Sequence, residues 1–216
     1  MRAIRILLFM LLANTATAQP FANEIAAFKK QDSIRPAPKN PILFAGSSSF
    51  MLWKEMQEDF PGYPVINRGF GGSSLPDIIR YKNEIIFPYN PKQIILYCGE
   101  NDLASSDTVT APLVFERFKT LFQEIRNKIP NIPIAFVSIK PSPSRQHLMP
   151  KMEEANKLIK NFLKKKKKTA FIDVFHKMLN PDGSPLKDIF IADNLHMNAK
   201  GYAIWQKAIE PFLLKD

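Results

Sequence analysis

The clearest indication of the fold lies in residues 42–49, which read Ile42-Leu43-Phe44-Ala45-Gly46-Ser47-Ser48-Ser49. An uninterrupted apolar run followed at once by a Gly and Ser turn is typical of a strand buried on both faces of a parallel sheet. Four later runs share this character, being short and rich in β-branched or aromatic residues: Val65 to Asn67, Gln93 to Cys98, Ile134 to Ile139 and Ala170 to Val174. The sequence therefore predicts five buried strands.

The segments between these runs carry apolar residues at helical spacing. One segment has Val114, Phe118, Leu121, Phe122 and Ile125, and the next has Met152, Ala155, Leu158, Ile159 and Phe162. Such spacing gives a helix one apolar face, and the final stretch, Ala199 to Leu213, is also predicted to be helical. Strands that alternate with helices imply a parallel sheet covered by helices on both faces. Residues 19–216 are expected to form one domain.

The first 18 residues have the features of a secretory signal peptide. Two positive charges, Arg2 and Arg5, precede the apolar run Ile6 to Leu12, and Ala16-Thr17-Ala18 supplies the small residues of a cleavage site. The apolar run is too short to span a bilayer. We therefore expect cleavage after Ala18 and a periplasmic or secreted protein without a stable membrane anchor.

The chain of 216 residues carries a formal net charge of +10, which falls to +8 when Arg2 and Arg5 are removed. Much of the excess is the run Lys164 to Lys168, at the end of a predicted helix, where cations are favourable. The sequence has no nucleic-acid motif and no basic stripe interleaved with aromatics, so nucleic acid is not an expected partner. The single cysteine, Cys98, lies in an apolar run and is expected to be buried.

Polar clusters rich in Gly and Ser follow the predicted strands. In chain order they are Gly46 to Ser49, Asn67 to Ser74, Gly99 to Asp102, Lys140 to Arg145 and, well beyond the fifth run, Asp193 to His196. In an open parallel sheet, ligands bind at the edge where the carboxyl ends of the strands meet. The sequence therefore predicts a site at this edge, although each cluster taken singly also fits ordinary turn chemistry.

In this order the clusters resemble the SGNH or GDSL family of serine esterases and lipases over nearly the whole predicted mature chain. Gly46-Ser47-Ser48 matches the Gly-Asp-Ser block, with Ser47 in place of the acidic residue. The Gly-x-Asn-Asp block is complete as Gly99 to Asp102, and the Asp-x-x-His block as Asp193 to His196. The resemblance implies a flavodoxin-like three-layer α/β/α sandwich with a five-stranded parallel sheet, in which Ser48 is the nucleophile.

These residue types suit acyl transfer. A serine hydroxyl needs a base within hydrogen-bond reach, and the base needs an orienting acid. Asp193 precedes His196 by three positions, which lets its carboxylate bond the ring nitrogen that does not face Ser48. The resemblance places the glycine of the family's second block at Gly72. The candidate donors to the oxyanion of the tetrahedral intermediate are the backbone N–H groups of Ser48 and Gly72 and the side-chain amide of Asn101.

Several alternatives stay open at this point. Ser47 and Ser49 adjoin Ser48, and the choice among the three rests on the resemblance. His147 and His176 are rivals for the base, but neither is expected to have an acid at a comparable spacing in a strand-end loop. No cluster of His, Cys or carboxylates has metal-ligand spacing, so neither a metal nor another cofactor is expected.

The predicted function is hydrolysis of carboxylic esters, with short-chain acyl or acetyl groups on carbohydrates or lipids as expected substrates. The alternatives are an acyltransferase that uses the same triad and a non-catalytic carbohydrate-binding protein on the same fold. Lys140 and Arg145, held in a loop with two prolines, are expected to bind a carboxylate or polar sugar group of the substrate. A surface turn with solvated charges fits that loop equally well.

Overall fold

The computed structural model describes residues 19–215, which contain a five-stranded sheet with helices on both faces. The predicted signal peptide lies outside the described residues. The strands are β1 (Ile42–Gly46), β2 (Val65–Gly69), β3 (Gln93–Tyr97), β4 (Ile134–Val137) and β5 (Thr169–Ile172). All neighbouring strands pair in parallel, in the order β2-β1-β3-β4-β5. This is the flavodoxin-like order, and the predicted fold class is confirmed.

Eight α-helices connect and cover these strands within the described residues. They are α1 (Ala22–Ile34), α2 (Ser48–Met51), α3 (Met56–Asp59), α4 (Leu75–Ile85), α5 (Glu100–Ala104), α6 (Ala111–Lys128), α7 (Met149–Leu163) and α8 (Ala199–Ile209). Short 3₁₀ helices span Phe87–Tyr89, Pro143–Leu148, His176–Met178 and Glu210–Phe212. The three helices predicted from apolar spacing are α6, α7 and α8. None of the helices in residues 19–215 is long and apolar enough to cross a membrane.

Side chains alternate along each strand between two apolar layers, one on each face of the sheet. In β1, Leu43 and Ala45 face the layer that contains residues of α4, α6 and α7, while Ile42 and Phe44 face the layer that contains residues of α8. Cys98, just after β3, is buried in the first layer, as expected. Burial on both faces explains why the strands appear in the sequence as continuous apolar runs.

The carboxyl end of β1 is packed closely against β3. A Cβ atom at Gly46 would lie 2.0 Å from the carbonyl oxygen of Tyr97, so no larger residue fits there without moving the backbone. In the layer that contains α8, Trp205 contacts the ring of Tyr97, with the ring centroids 4.8 Å apart. The C-terminal helix therefore covers the point at which the chain leaves β1 and turns towards the candidate site.

The lysine run, Lys164 to Lys168, lies at the end of the sheet formed by the amino ends of the strands. Residues 164–168 follow α7 and are all exposed, in agreement with the prediction of a solvated helix end. The carbonyl of Lys168 accepts a 3.0 Å hydrogen bond from the backbone of Ile134, at the amino end of β4. The strongest concentration of positive charge is thus separated from the carboxyl ends of the strands by the length of the sheet.

Candidate active site

Ser48 begins α2 directly after β1, and it is the most accessible serine of its turn. Ser47 and Ser49 are 3% and 2% exposed, whereas Ser48 is partly exposed. The turn is held from two sides. Tyr202 of α8 donates its hydroxyl to the carbonyl of Ser49 at 3.1 Å, and Asn67 of β2 donates its side-chain amide to a backbone carbonyl of α2 at 2.6 Å. Of the three adjacent serines, Ser48 is therefore the one presented to a ligand.

The side chains of Ser48, His196 and Asp193 lie in contact, although Ser48 is far from the other two in the chain. The His196 Nε2 atom lies 2.9 Å from the Ser48 hydroxyl oxygen, and the His196 Nδ1 atom lies 2.6 Å from an Asp193 carboxylate oxygen. A carboxylate can only accept, so Nδ1 carries the proton and Nε2 of the neutral ring is free to accept the Ser48 proton. The geometry therefore links a hydroxyl, a base and an orienting acid in one line.

The Asp193 carboxylate is strongly held in its ionised form. Its second oxygen accepts the backbone N–H groups of Leu195 and His196, both at 2.9 Å. Partial burial raises the pKa of Asp193, but these bonds and the contact with the His196 ring outweigh it and lower the pKa to about 2. The side chains of Asp193 and His196 are 42% and 21% exposed, so the site opens directly to solvent.

Gly72 and Asn101 lie beside the Ser48 turn. Gly72 is exposed with a φ of 73°, a conformation that favours glycine, and no atom is within 4 Å of where its Cβ would be. The Asn101 Nδ2 atom donates to the carbonyl of Ser73, the next residue after Gly72, at 3.0 Å. The Ser73 hydroxyl lies 3.3 Å from the carbonyl of Gly46 at the end of β1. Through Ser73, the structure thus connects Gly72 and Asn101 to the end of β1, where the Ser48 turn begins.

The sequence model of the GDSL-like lipase/acylhydrolase family matches residues 43–204, a span that includes every residue of this site. The chain belongs to this family. The resemblance inferred from the sequence is therefore confirmed, as is the predicted enzyme class, a serine hydrolase that acts on ester bonds.

Solved structures of the same fold include a lipase, a lipase/acylhydrolase and an acetyl xylan esterase. A GDSL-like lipase from Bacteroides thetaiotaomicron is 18% identical with a TM-score of 0.72, and the alignment covers 87% of this chain and 96% of that one. A lipase/acylhydrolase from Enterococcus faecalis is 18% identical with a TM-score of 0.59, covering 82% and 98%. An acetyl xylan esterase is 20% identical with a TM-score of 0.66, covering 81% and 100%. At these identities the likeness shows the fold alone. No curated protein sequence matches the chain.

The predicted substrate-binding role of Lys140 is not compatible with its position in this GDSL-type site. Its side chain is fully buried, 3.1 Å from the Glu100 carboxylate, and its Nζ atom donates to the carbonyl of Leu195 at 2.8 Å. The side chain of Arg145 is 19% exposed, and its guanidinium already contacts Glu100 at 3.3 Å and the Asn101 side-chain oxygen at 3.0 Å. Both cations lie at the predicted edge of the sheet, but they bind groups of the protein itself.

A second Asp-x-x-His pair follows β5. The His176 Nδ1 atom lies 2.8 Å from one Asp173 carboxylate oxygen, and the His176 backbone donates to the other at 3.2 Å. The expectation that His176 lacks an acid at this spacing is wrong, because β5 ends at Ile172 and leaves Asp173 in the loop. The serine in the adjoining cavity of about 220 Å³ is Ser138, which is fully buried and accepts two backbone N–H groups.

The third histidine, His147, is exposed in the 3₁₀ helix Pro143–Leu148, which also contains Arg145. The hydrogen bond to a partly exposed serine hydroxyl is what distinguishes His196 from both other histidines. Among residues 19–215, no group of three or more potential metal ligands lies close enough together to hold an ion.

Proposed function

We propose that this enzyme hydrolyses carboxylic esters of short acyl groups through an acyl-enzyme formed on Ser48. The observation that carries the proposal is the hydrogen-bonded line from Ser48 through His196 to Asp193, with distances of 2.9 and 2.6 Å. A nucleophile, a base and an orienting acid in contact form the arrangement that activates a serine hydroxyl for attack on an acyl carbon.

In the acylation step, the Ser48 oxygen attacks the ester carbonyl carbon while the His196 Nε2 atom takes the hydroxyl proton. Asp193 is ionised at neutral pH and stabilises the imidazolium that forms. The carbonyl oxygen becomes an oxyanion, which accepts hydrogen bonds from the Ser48 and Gly72 backbones and the Asn101 amide. Each such donor contributes about 3–4 kcal/mol of transition-state stabilisation in comparable enzymes.

The intermediate collapses when the bond from the acyl carbon to the alcohol oxygen breaks. The His196 imidazolium gives its proton to that oxygen, and the alcohol leaves. Water then attacks the acyl carbon of the acyl-enzyme, with neutral His196 again acting as base. The second intermediate releases the carboxylic acid and restores the Ser48 hydroxyl, so each cycle consumes one ester and one water.

The openness of the site favours a small acyl group on a polar carrier. Asp193 is 42% exposed, and the large exposed apolar side chains among the described residues are Ile34, Leu113, Ile191, Phe212 and Leu214. Of these, Ile191 is next to the triad, because its backbone N–H donates to the carbonyl of His196 at 2.9 Å, and one such side chain gives a long acyl chain little surface. A long acyl chain would need a continuous apolar surface near Ser48. An acetylated carbohydrate is the substrate class we propose, and an acetyl xylan esterase is among the proteins of the same fold.

A panel of esters tests this proposal. Nitrophenyl acetate, butyrate and octanoate, together with an acetylated oligosaccharide, are assayed with the wild-type enzyme and with Ser48→Ala. We expect turnover that falls with acyl length, acetate release from the oligosaccharide and no turnover by the variant. A preference for octanoate, or full activity of Ser48→Ala, would overturn the proposal.

We also propose that the enzyme acts outside the cytoplasm, in the periplasm or the medium. The support is the charge, apolar and small-residue pattern of residues 1–18. The N-terminus of the protein isolated from the extracytoplasmic fractions is expected to be Gln19. A product that remains in the cytoplasm and retains residues 1–18 would contradict export.

A further inference from the structure

Beneath the site, one buried carboxylate holds two cations. Glu100, the residue before Asn101, lies 3.1 Å from the Lys140 ammonium and 3.3 Å from the Arg145 guanidinium. The Tyr97 hydroxyl donates to the same carboxylate at 2.7 Å. Buried charges are costly to fold unless they are paired, and none of these groups takes part in the reaction steps above.

We propose that this network is a positioning device for the active site, in which Arg145 orients the amide of Asn101 and Lys140 fixes the loop that carries His196. Glu100 holds both cations in place. The inference rests on the proposed function, since ester hydrolysis is the reaction in which the effect is measured.

The orientation of Asn101 follows from the chemistry of Arg145. A guanidinium has donors and no acceptor. Its contact of 3.0 Å therefore requires the Asn101 oxygen, and not the amide nitrogen, to face Arg145. The Asn101 Nδ2 atom then points away, where one of its hydrogens binds the Ser73 carbonyl at 3.0 Å and the other remains for an oxyanion. The reverse orientation would turn a lone pair towards the oxyanion.

The charges of the network add to this effect. Burial alone raises the pKa of Glu100, but Lys140 and Arg145 outweigh it and lower the pKa, so the carboxylate stays ionised. Arg145 is the cation of the network that contacts Asn101. A positive charge behind the amide oxygen polarises the N–H groups towards the developing oxyanion.

The segment after β4 also forms hydrogen bonds to the loop Asp193 to His196, which carries the proposed base. The Lys140 ammonium donates to the carbonyl of Leu195 at 2.8 Å, and the backbone of Ser144 donates to the carbonyl of Asn194 at 3.1 Å. These two consecutive carbonyls lie between Asp193 and His196. Since Lys140 also pairs with Glu100, the residue before Asn101, one side chain connects the base loop to the oxyanion donor.

A double-mutant cycle between Arg145 and Asn101 tests the proposal. Arg145→Gln should lower kcat by about 10- to 100-fold with little change in KM, since the amide acts in the transition state and not on the bound ester. The Asn101→Ala, Arg145→Gln double variant should be no slower than Asn101→Ala alone, because Arg145 acts through Asn101. Arg145→Lys should fall between wild type and Arg145→Gln, because it keeps the charge and loses the planar fork.

The control is Arg80→Gln, which removes an arginine that is 47% exposed on α4 and should leave kcat unchanged. Titration of Ser48 to completion with a fluorophosphonate counts the folded sites in each preparation. If Arg145→Gln does not fold, the same cycle is measured with Arg145→Lys, by comparing kcat of Asn101→Ala with kcat of the Asn101→Ala, Arg145→Lys double variant. The positioning role would be overturned if Arg145→Gln left kcat unchanged, or if the losses in kcat of the two single variants multiplied in the double variant. Neither outcome bears on ester hydrolysis itself, which is tested separately by Ser48→Ala.

Discussion

The His196 Nε2 atom and the Ser48 hydroxyl oxygen are 2.9 Å apart although the two residues are separated by 148 positions in the chain. His196 lies in the loop before α8, and Ser48 is the first residue of α2. Trp205 of α8 packs edge-on against Phe50 of α2, with the ring centroids 5.9 Å apart. The distance between base and hydroxyl is therefore set by the docking of the last helix onto the end of the first strand.

Three adjacent serines allow a controlled test of the nucleophile. Ser48→Ala should lower kcat by a factor of roughly 10⁴ to 10⁶, since the members of a catalytic triad act as a unit. Ser47→Ala and Ser49→Ala each remove a buried hydroxyl and should keep kcat within a few-fold. Initial rates on nitrophenyl acetate and thermal melting curves check both points. A dominant effect at either neighbour would transfer the role away from Ser48.

The two Asp-x-x-His pairs provide a matched comparison within one molecule. His196→Ala should be nearly as damaging as Ser48→Ala, and Asp193→Asn should cost a smaller factor of about 10⁴ in kcat. His176→Ala and Asp173→Asn remove an equivalent hydrogen bond of 2.8 Å and should leave kcat unchanged. Steady-state kinetics of the four variants decide the matter, and a larger loss from the β5 pair would show that the base is misidentified.

Asn101→Ala should act on the chemical step. Loss of one oxyanion donor is expected to lower kcat by about 10²- to 10³-fold, with KM nearly unchanged, because the oxyanion exists only after attack. Measurement of kcat and KM on the same acetyl ester distinguishes the two effects. A change confined to KM would place Asn101 in ground-state substrate binding.

The low pKa of Asp193 predicts a pH-dependent contribution to stability. Folding lowers this pKa from 3.8 to about 2, so the folded state favours the carboxylate. The contribution is complete above about pH 4 and disappears as the pH falls towards 2. The difference in stability between wild type and Asp193→Asn should therefore shrink over that range in urea titrations. Its size is small because the side chain is partly exposed, and a difference that does not vary with pH would refute the assignment.

Gly46→Ala should destabilise the protein by more than about 3 kcal/mol, since overpacking against a fixed backbone is at the upper end of such costs. The added Cβ would lie 2.0 Å from the Tyr97 carbonyl oxygen. The matched control is Gly62→Ala, at a φ of 81° with no atom within 4 Å of the new Cβ. It should cost only the left-handed strain of about 1–2 kcal/mol. Equal losses in urea unfolding would argue against the close approach of β1 and β3.

The five strands could be predicted because strands buried on both faces leave continuous apolar runs in the sequence. Short helices leave no such trace. Helices α2, α3 and α5 have four or five residues, too few for a helical period to be seen. The start of α4 does have a local signal in the sequence, since Ser74 and Asp77 form a capping box.

The order of the motifs correctly predicted which residues meet at the sheet edge, but side-chain directions could not be predicted in the same way. Lys140 points inwards because its partner is Glu100, which occupies the variable position of the Gly-x-Asn-Asp block. Nothing in the spacing of residues 40 positions apart indicates that ion pair. The acid of His176 is hidden in the sequence because Asp173 belongs to the fifth apolar run, whereas the strand itself ends at Ile172.

The hydrogen bond from Tyr202 to Ser49 joins residues 153 positions apart. A contact of such range can form only after a long loop of chain has closed, which costs entropy. A nascent chain that has emerged from the ribosome as far as β5 already contains Ser48, but it has neither the imidazole nor the helix that braces the serine turn. On the proposed mechanism, synthesis must therefore reach α8 before an ester can be attacked, and a product of premature termination upstream of His196 should be inert towards the esters of the cell that made it.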